Sequence, residues 1–468
     1  MHRALMIRQR MKTSLLSTFT LSLTAVAWLA PANPLLADAF PSRWENTPRE
    51  SGIHSNNEEQ SKIVWSSSLD VPDATWLRVE FSACELGANS YVVLTAEANQ
   101  TSHRLNTITM QQWRQCSGAL KGGRVRVDLH AAPGDTGVFV NVSRVLAGMR
   151  VEPGFTAATL CDGDSRVNNR DDRIGRMFGG GCTAWLVSNG AVCSAGHCVD
   201  TGPGNFFEVN VPASDADGTP NPALPNDQFP VDNSNVLWQD SGGLGGDWGI
   251  YALFPNNNTG ERAHVGRGFF RPSQVLPAIN TTLRITGYGK DDTPAGSAGG
   301  RNNDNWTEQT ATGPYVGEFD NGGGNIYHAY RTDTEPANSG SPIIWRLGSV
   351  DFSIGIHTDG GCANDGDGSN KGTSFNQSAL ANALNNYPAG GGERYLDTAS
   401  STGTQNGSLY EPFRNFGSAY NSAPNGGQVI MVAGGYPRTT AGNTGTWGSG
   451  QTKSVTLRAP VGAVTIGH

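Results

Sequence analysis

Apolar and polar residues alternate in short runs along most of this chain, and clusters of Gly, Asn, Asp and Pro separate the runs. A period of two predicts half-buried antiparallel strands. Residues 40–150 show it in "TWLRVEFSACELG", "SYVVLTAEA", "RVRVDLHAA" and "GVFVNVSRVLAG", which predicts a small β-sandwich. Residues 159–390 carry shorter strands, such as "CTAWLVS", "DWGIYALF", "TLRITGYG", "SPIIWRL" and "SIGIHT", set between longer loops. Only "NQSALANALNNY" reads as a helix. The chain is expected to be all-β.

A Gly-rich stretch, "PAGGGERYLD", marks a boundary, and residues 395–468 follow it. Their runs "GGQVIMVAGGYP" and "SVTLRAPVGAVTIG" resemble the opening coils of a right-handed parallel β-helix. One or two coils predict a small β appendage rather than a full solenoid. The first 39 residues do not belong to the fold. Arg3, Arg8, Arg10 and Lys12 precede the apolar run "LLSTFTLSLTAVAWLA", and "ADA" closes it at Ala39. This is the layout of a secretory signal peptide, with Met11 as a second candidate start. The run is short for a membrane span. The mature chain is expected to be secreted or periplasmic, with no membrane attachment after signal removal.

Export makes the seven cysteines disulfide candidates, and an odd count leaves at least one unpaired within the chain. Cys84 and Cys116 are the only cysteines of the sandwich, so their pairing is the simplest expectation. The formal net charge of −8 argues against a broad nucleic-acid surface.

Candidate chemistry changes the picture in the middle region. Serine attacks at neutral pH only with a base, a carboxylate that orients the base, and N–H donors for the oxyanion. "AVCSAGHCVD" supplies His197, beside Cys198 and downstream of Cys182; a bridge between those cysteines would pin the histidine loop. "GGLGGDWGIYALF" supplies Asp247 at a strand entrance, with Asp240 as the fallback. "TEPANSGSPIIW" supplies Ser339 in a turn whose natural N–H donors are Ala337 and Ser339. The order His, Asp, Ser and the lack of G-x-S-x-G around Ser339 exclude an α/β-hydrolase arrangement.

Together "SAGHC", "GDWGIYAL" and "NSGSPII" resemble the three catalytic motifs of chymotrypsin-like serine proteases, and "NSGSP" with "IGIH" is closer to the glutamyl endopeptidase branch. The resemblance covers about residues 161–387. It implies a double β-barrel with the active site in the crevice, and hydrolysis of protein or peptide substrates through an acyl-enzyme without metal or organic cofactor. It assigns His197 as base, Asp247 as orienter, Ser339 as nucleophile, and Ala337 and Ser339 as oxyanion donors. The family usually has glycine at position 337, and digestive trypsins have aspartate where this chain has Asn338. Thr334 and His357 stand where glutamyl endopeptidases contact an acidic substrate side chain. Cys362 is a candidate partner of Cys161, and Cys193 a buried free thiol. The acids of "CDGDSRVNNRDDRIGR" lack the spacing of a calcium loop. Its arginines offer cut sites if the sandwich is a propeptide; a retained binding domain is the other reading. The competing function is a binding or adhesion protein on an inactive protease scaffold.

Overall fold

The structure is a computed structural model. It describes residues 40–150, 159–199, 205–240, 243–291, 303–362, 368–387, 393–400, 405–408, 411–432, 434–436, 453–459 and 463–466. The expected signal peptide lies outside the described residues.

The alternating runs of the first region form two antiparallel sheets. One contains Ser42–Glu50, Thr136–Gly148, Trp76–Glu85 and Leu120–Lys121, with His54–Ser55 at its side; the other contains Lys62–Asp70, Arg124–Ala131, Tyr91–Ala96 and Ser102–Leu105. Val92, Leu94, Val125, Val127 and Leu129 all point inward and are fully buried, as the period of two requires. Cys84 and Cys116 are both free thiols, which corrects the expected pairing. Cys116 bridges to Glu80, four residues from Cys84 along the strand. At about 3.3 Å per residue that is roughly 13 Å, beyond the roughly 7 Å a disulfide can span.

The middle region folds into two six-stranded antiparallel barrels, the double barrel of the chymotrypsin-like proteases. The first closes through Ile174–Met177, Cys182–Leu186, Val192–Ser194, Asp247–Leu253, Gln228–Asp240 and Phe206–Glu208. In the second, Gln309–Asp320 pairs with Thr282–Gly287, which leads through Pro342–Leu347, Val350–Asp359 and Asn370–Ser374 to Ile326–Tyr330. That last strand pairs back onto Gln309–Asp320 and closes the ring. The predicted helix is present at Ser378–Asn386, started by the Gln377 side chain accepting from Leu380 N–H.

The sandwich is not a loosely tethered module. Its apolar core is continuous with that of the barrels: Phe40, Trp76 and Trp113 join Phe178, Phe206, Trp306 and Ala337 in one cluster. Phe40 meets Phe178 and Trp306 edge-on at 5.1 and 5.3 Å. A polar clasp adds direction. Gln228 of the first barrel accepts from Ala119 N–H at 2.9 Å and donates to Ala119 C=O at 2.8 Å, all buried. Much of the segment "RVNNRDDRIGR" is woven into the barrels. Arg176 is fully buried against Glu208 at 2.6 Å, and Arg166 is buried against Asp164 at 2.7 Å; only Arg170 among its arginines is strongly exposed.

After the helix, Glu393–Leu396, Gly427–Met431 and Val455–Arg458 stack as a parallel sheet, and Gly434–Tyr436 pairs in parallel with Val464–Ile466. Parallel stacking of successive strands is the geometry that β-helix coils use. Leu396, Phe416, Val429 and Met431 form a core of their own.

Candidate active site

His197 sits in a single 3-10 turn, Gly196–Cys198, at the end of the strand Val192–Ser194. Three constraints fix it. Cys198 is bonded to Cys182 of the neighbouring strand. Gly196 packs so closely that a Cβ there would lie 1.9 Å from the Gln239 carbonyl oxygen. Asp247 then grips the turn: its Oδ1 accepts from the N–H groups of Gly196 at 2.5 Å and His197 at 3.0 Å, and its Oδ2 accepts from His197 Nδ1 at 2.5 Å. The hydrogen bonds go to Asp247 and not to Asp240, which stands opposite it in the strand pair.

Asp247 belongs to the first barrel but is also held by the second. Thr373 Oγ1 donates to Asp247 C=O at 2.6 Å and accepts its N–H at 3.3 Å. The bond at Nδ1 leaves Nε2 as the free, basic nitrogen of the ring. Burial works against the charged imidazolium, yet Asp247, and beyond it Asp240 and Asp359, raise the His197 pKa above its ordinary value.

The turn 335–341 is self-closed. Asn338 donates its N–H to Glu335 C=O at 2.9 Å, and its side-chain oxygen accepts from Glu335 N–H at 2.9 Å. Gly340 presses the turn onto the wall that carries His197. A Cβ at Gly340 would fall 2.0 Å from Thr183 C=O, 2.3 Å from Ser194 Oγ and 3.1 Å from Ala195 N. Thr183 N–H also donates to Ser339 C=O at 2.9 Å. Ser339 is half-exposed, and among the described residues its hydroxyl makes no hydrogen bond.

Ala337 adopts φ +78°, the left-handed region where glycine is at ease. Alanine therefore takes up a glycine-like conformation here. Among the described residues the N–H groups of Ala337 and Ser339 have no acceptor, which leaves both as donors. The Cys161–Cys362 bond ties the start of this region to the loop after His357.

His357 is buried on the strand Val350–Asp359, and burial, reinforced by the charge of His197, pushes its pKa down to about 3. It is a neutral imidazole. Its Nδ1 lies 2.6 Å from the Tyr330 hydroxyl, which also reaches Lys371 C=O at 3.1 Å. Thr334 is fully buried; its hydroxyl accepts from Asn370 Nδ2 at 2.9 Å and lies 3.2 Å from Thr159 Oγ1. Thr159 also donates to Thr334 C=O, and its own C=O accepts from Asn370 at 2.8 Å. Its methyl fills the space that a Cβ on Gly360 would need, 2.0 Å away.

Thr159, Tyr330 and Asn370 thus contact the candidate residues Thr334 and His357, although no sequence motif flags them. The described His, Cys, Asp and Glu side chains form one close group, Cys182, His197 and Cys198. Its sulfurs are consumed by the disulfide, so it offers no metal ligation.

Residues 163–377 match the family model described as Trypsin. The glutamyl endopeptidase of Bacillus licheniformis is 27% identical over 217 residues, which cover 44% of this chain and 59% of that protein. The chain thus spans somewhat more than half the length of this relative. Solved structures similar in part include neuropsin, a serine protease from mouse brain (15% identity, TM-score 0.33, 45% of this chain and 92% of that one). Another is the protease Anisep from Arthrobacter nicotinovorans (16% identity, TM-score 0.32, 46% and 99%).

Proposed function

Since residues 163–377 match the family model described as Trypsin, we propose that the chain is an exported serine endopeptidase with His197, Asp247 and Ser339 as its triad. The observation that carries this is the grip of Asp247 on the His197 ring and backbone, beside the docked Ser339 turn. In this reading the Ser339 hydroxyl attacks the scissile carbonyl while His197 Nε2 takes its proton. The N–H groups of Ala337 and Ser339 receive the oxyanion. His197 then protonates the leaving amine, and water, activated by the same nitrogen, releases the acyl group. The hydroxyl and Nε2 need only meet once substrate is bound, since such bonds tighten in the complex.

Ser339→Ala is expected to lower kcat by at least about a thousandfold and to abolish serine-directed phosphonylation, with the fold intact by circular dichroism. A folded variant that keeps its turnover would leave the adhesion-protein reading standing. The two disulfides fit an oxidising compartment and support the export part of the proposal.

A preference for glutamate before the cleaved bond rests on His357 and Thr334. The Tyr330 hydroxyl has one proton and two acceptors. When it donates to His357 Nδ1, the other ring nitrogen carries hydrogen and can donate to a substrate carboxylate. Cleavage of a peptide library should then show glutamate enriched at that position, and Tyr330→Phe should reduce the enrichment. A flat profile in the parent protein rejects the preference.

A further inference from the structure

A cavity of about 220 Å³ opens at the joint between the first barrel and the C-terminal module. The barrel supplies Arg262 and His264, the C-terminal strands supply Glu393, Ile430 and Arg458, and Tyr387 lines it at the end of the helix. Two polar features are left incomplete. His264 is only 4% exposed and its Nδ1 has no hydrogen-bond partner. The ring lies beneath Gly190, where a Cβ would come within 1.9 Å of that nitrogen. An unpaired buried ring nitrogen is costly unless something supplies its partner.

Arg262 makes no hydrogen bond or ion pair among the described residues, and Arg458 holds only the neutral Gln428, at 3.0 Å. Burial, and then the charges of these two arginines, lowers the His264 pKa to about 4, so the ring is neutral. The cavity therefore holds two guanidinium groups with no carboxylate bonded to either. Glu393 does line it, but its Oε2 is engaged by the Tyr395 hydroxyl at 3.0 Å.

We propose that this cavity binds a hydroxylated carboxylate of single-ring size, the uronate class of sugar. Arginine is suited to grasp a carboxylate through paired N–H donors. The second oxygen of Glu393 accepts from a ring hydroxyl, and Ile430 and Tyr387 cover the apolar face of the ring. Glu393 disfavours a bare inorganic anion, while a neutral sugar leaves the arginines without a partner. The site is separate from the crevice. Leu253, which lines it, lies six residues along the strand from Asp247, about 20 Å at the strand rise.

Calorimetric titration of the full chain with sodium glucuronate tests the proposal, with glucose and sodium sulfate as comparators. Saturable one-to-one binding is expected, with both comparators binding at least about tenfold more weakly. Arg262→Ala and Arg458→Ala should each weaken glucuronate binding by about tenfold and leave peptide-ester turnover unchanged. Both arginines are exposed, so neither variant disturbs a core. Absence of saturable binding overturns the proposal. So does sulfate binding as well as glucuronate, or unchanged affinity in both variants.

Discussion

His197 concentrates the electrostatics of the crevice. Its ring is hydrogen-bonded to Asp247 and lies within the field of Asp240 and Asp359, all of which favour the protonated form. In the proposed mechanism the neutral ring is the one that accepts a proton, so activity is expected to be lost as pH falls through the His197 pKa. Because that pKa is raised, the rise of kcat/KM with pH is expected to have its midpoint above the ordinary histidine value. Asp240→Asn removes one source of the shift and should move the midpoint to lower pH while leaving the plateau nearly unchanged. A midpoint that moves up, or does not move, would show that Asp240 does not act on the ring. His357 stays neutral across this range and does not add a second inflection.

At the scale of elements, the turn 335–341 works only because glycine occupies its last critical position. Gly340 has φ +91°, and a side chain there would meet the backbone of Thr183. Gly340→Ala should destabilise the fold by roughly 2–4 kcal/mol through strain and overpacking. It should also slow phosphonylation of Ser339, because the turn must lift off its wall. Thermal melts and labelling kinetics read the two effects separately.

Elements were legible in the sequence where a contiguous motif encodes a local constraint. Gly196 and Cys198 flank His197, and the alternation in Asp247–Leu253 marks a strand. The helices Thr107–Gln112 and Phe416–Ser422 depart from the expectation of a single helix: they are short and bury only Met110 and only Phe416 with Ala419, too little for an apolar stripe, although Asn106 and Thr109 form a capping box at the start of the first. The pocket contacts of Thr159, Tyr330 and Asn370 escaped notice for another reason. Thr159 meets Thr334 across 175 residues and Asn370 across 211, and no local pattern encodes such a meeting. The double barrel was read through a family resemblance, which composition and spacing alone did not carry. Cys84 and Cys116 show the opposite failure: a count suggested a pair that strand register keeps apart.

For the whole molecule, the shared aromatic core decides how the sandwich behaves. Phe178, Phe206 and Trp306 of the barrels are buried in the same cluster as Phe40, Trp76 and Trp113 of the sandwich. A fragment of residues 159–390 would expose that face to water, and apolar patches of this kind drive association. Its expected fate is aggregation, with recovery when residues 40–150 are supplied in trans, measured by light scattering and ester turnover. A monomeric, fully active fragment would show that the sandwich is dispensable.

Thr159 has a further consequence for how strongly substrate can bind. It is covalently part of the chain and already bonded to Thr334 and Asn370, so any substrate side chain reaching Thr334 competes with a ligand that never diffuses away. A tethered competitor acts at an effective concentration of about millimolar or more for a short linker. On the proposed role of Thr334 its effect is expected to fall on KM and not on the chemical step, and the Cys161–Cys362 bond two residues further on keeps it in place.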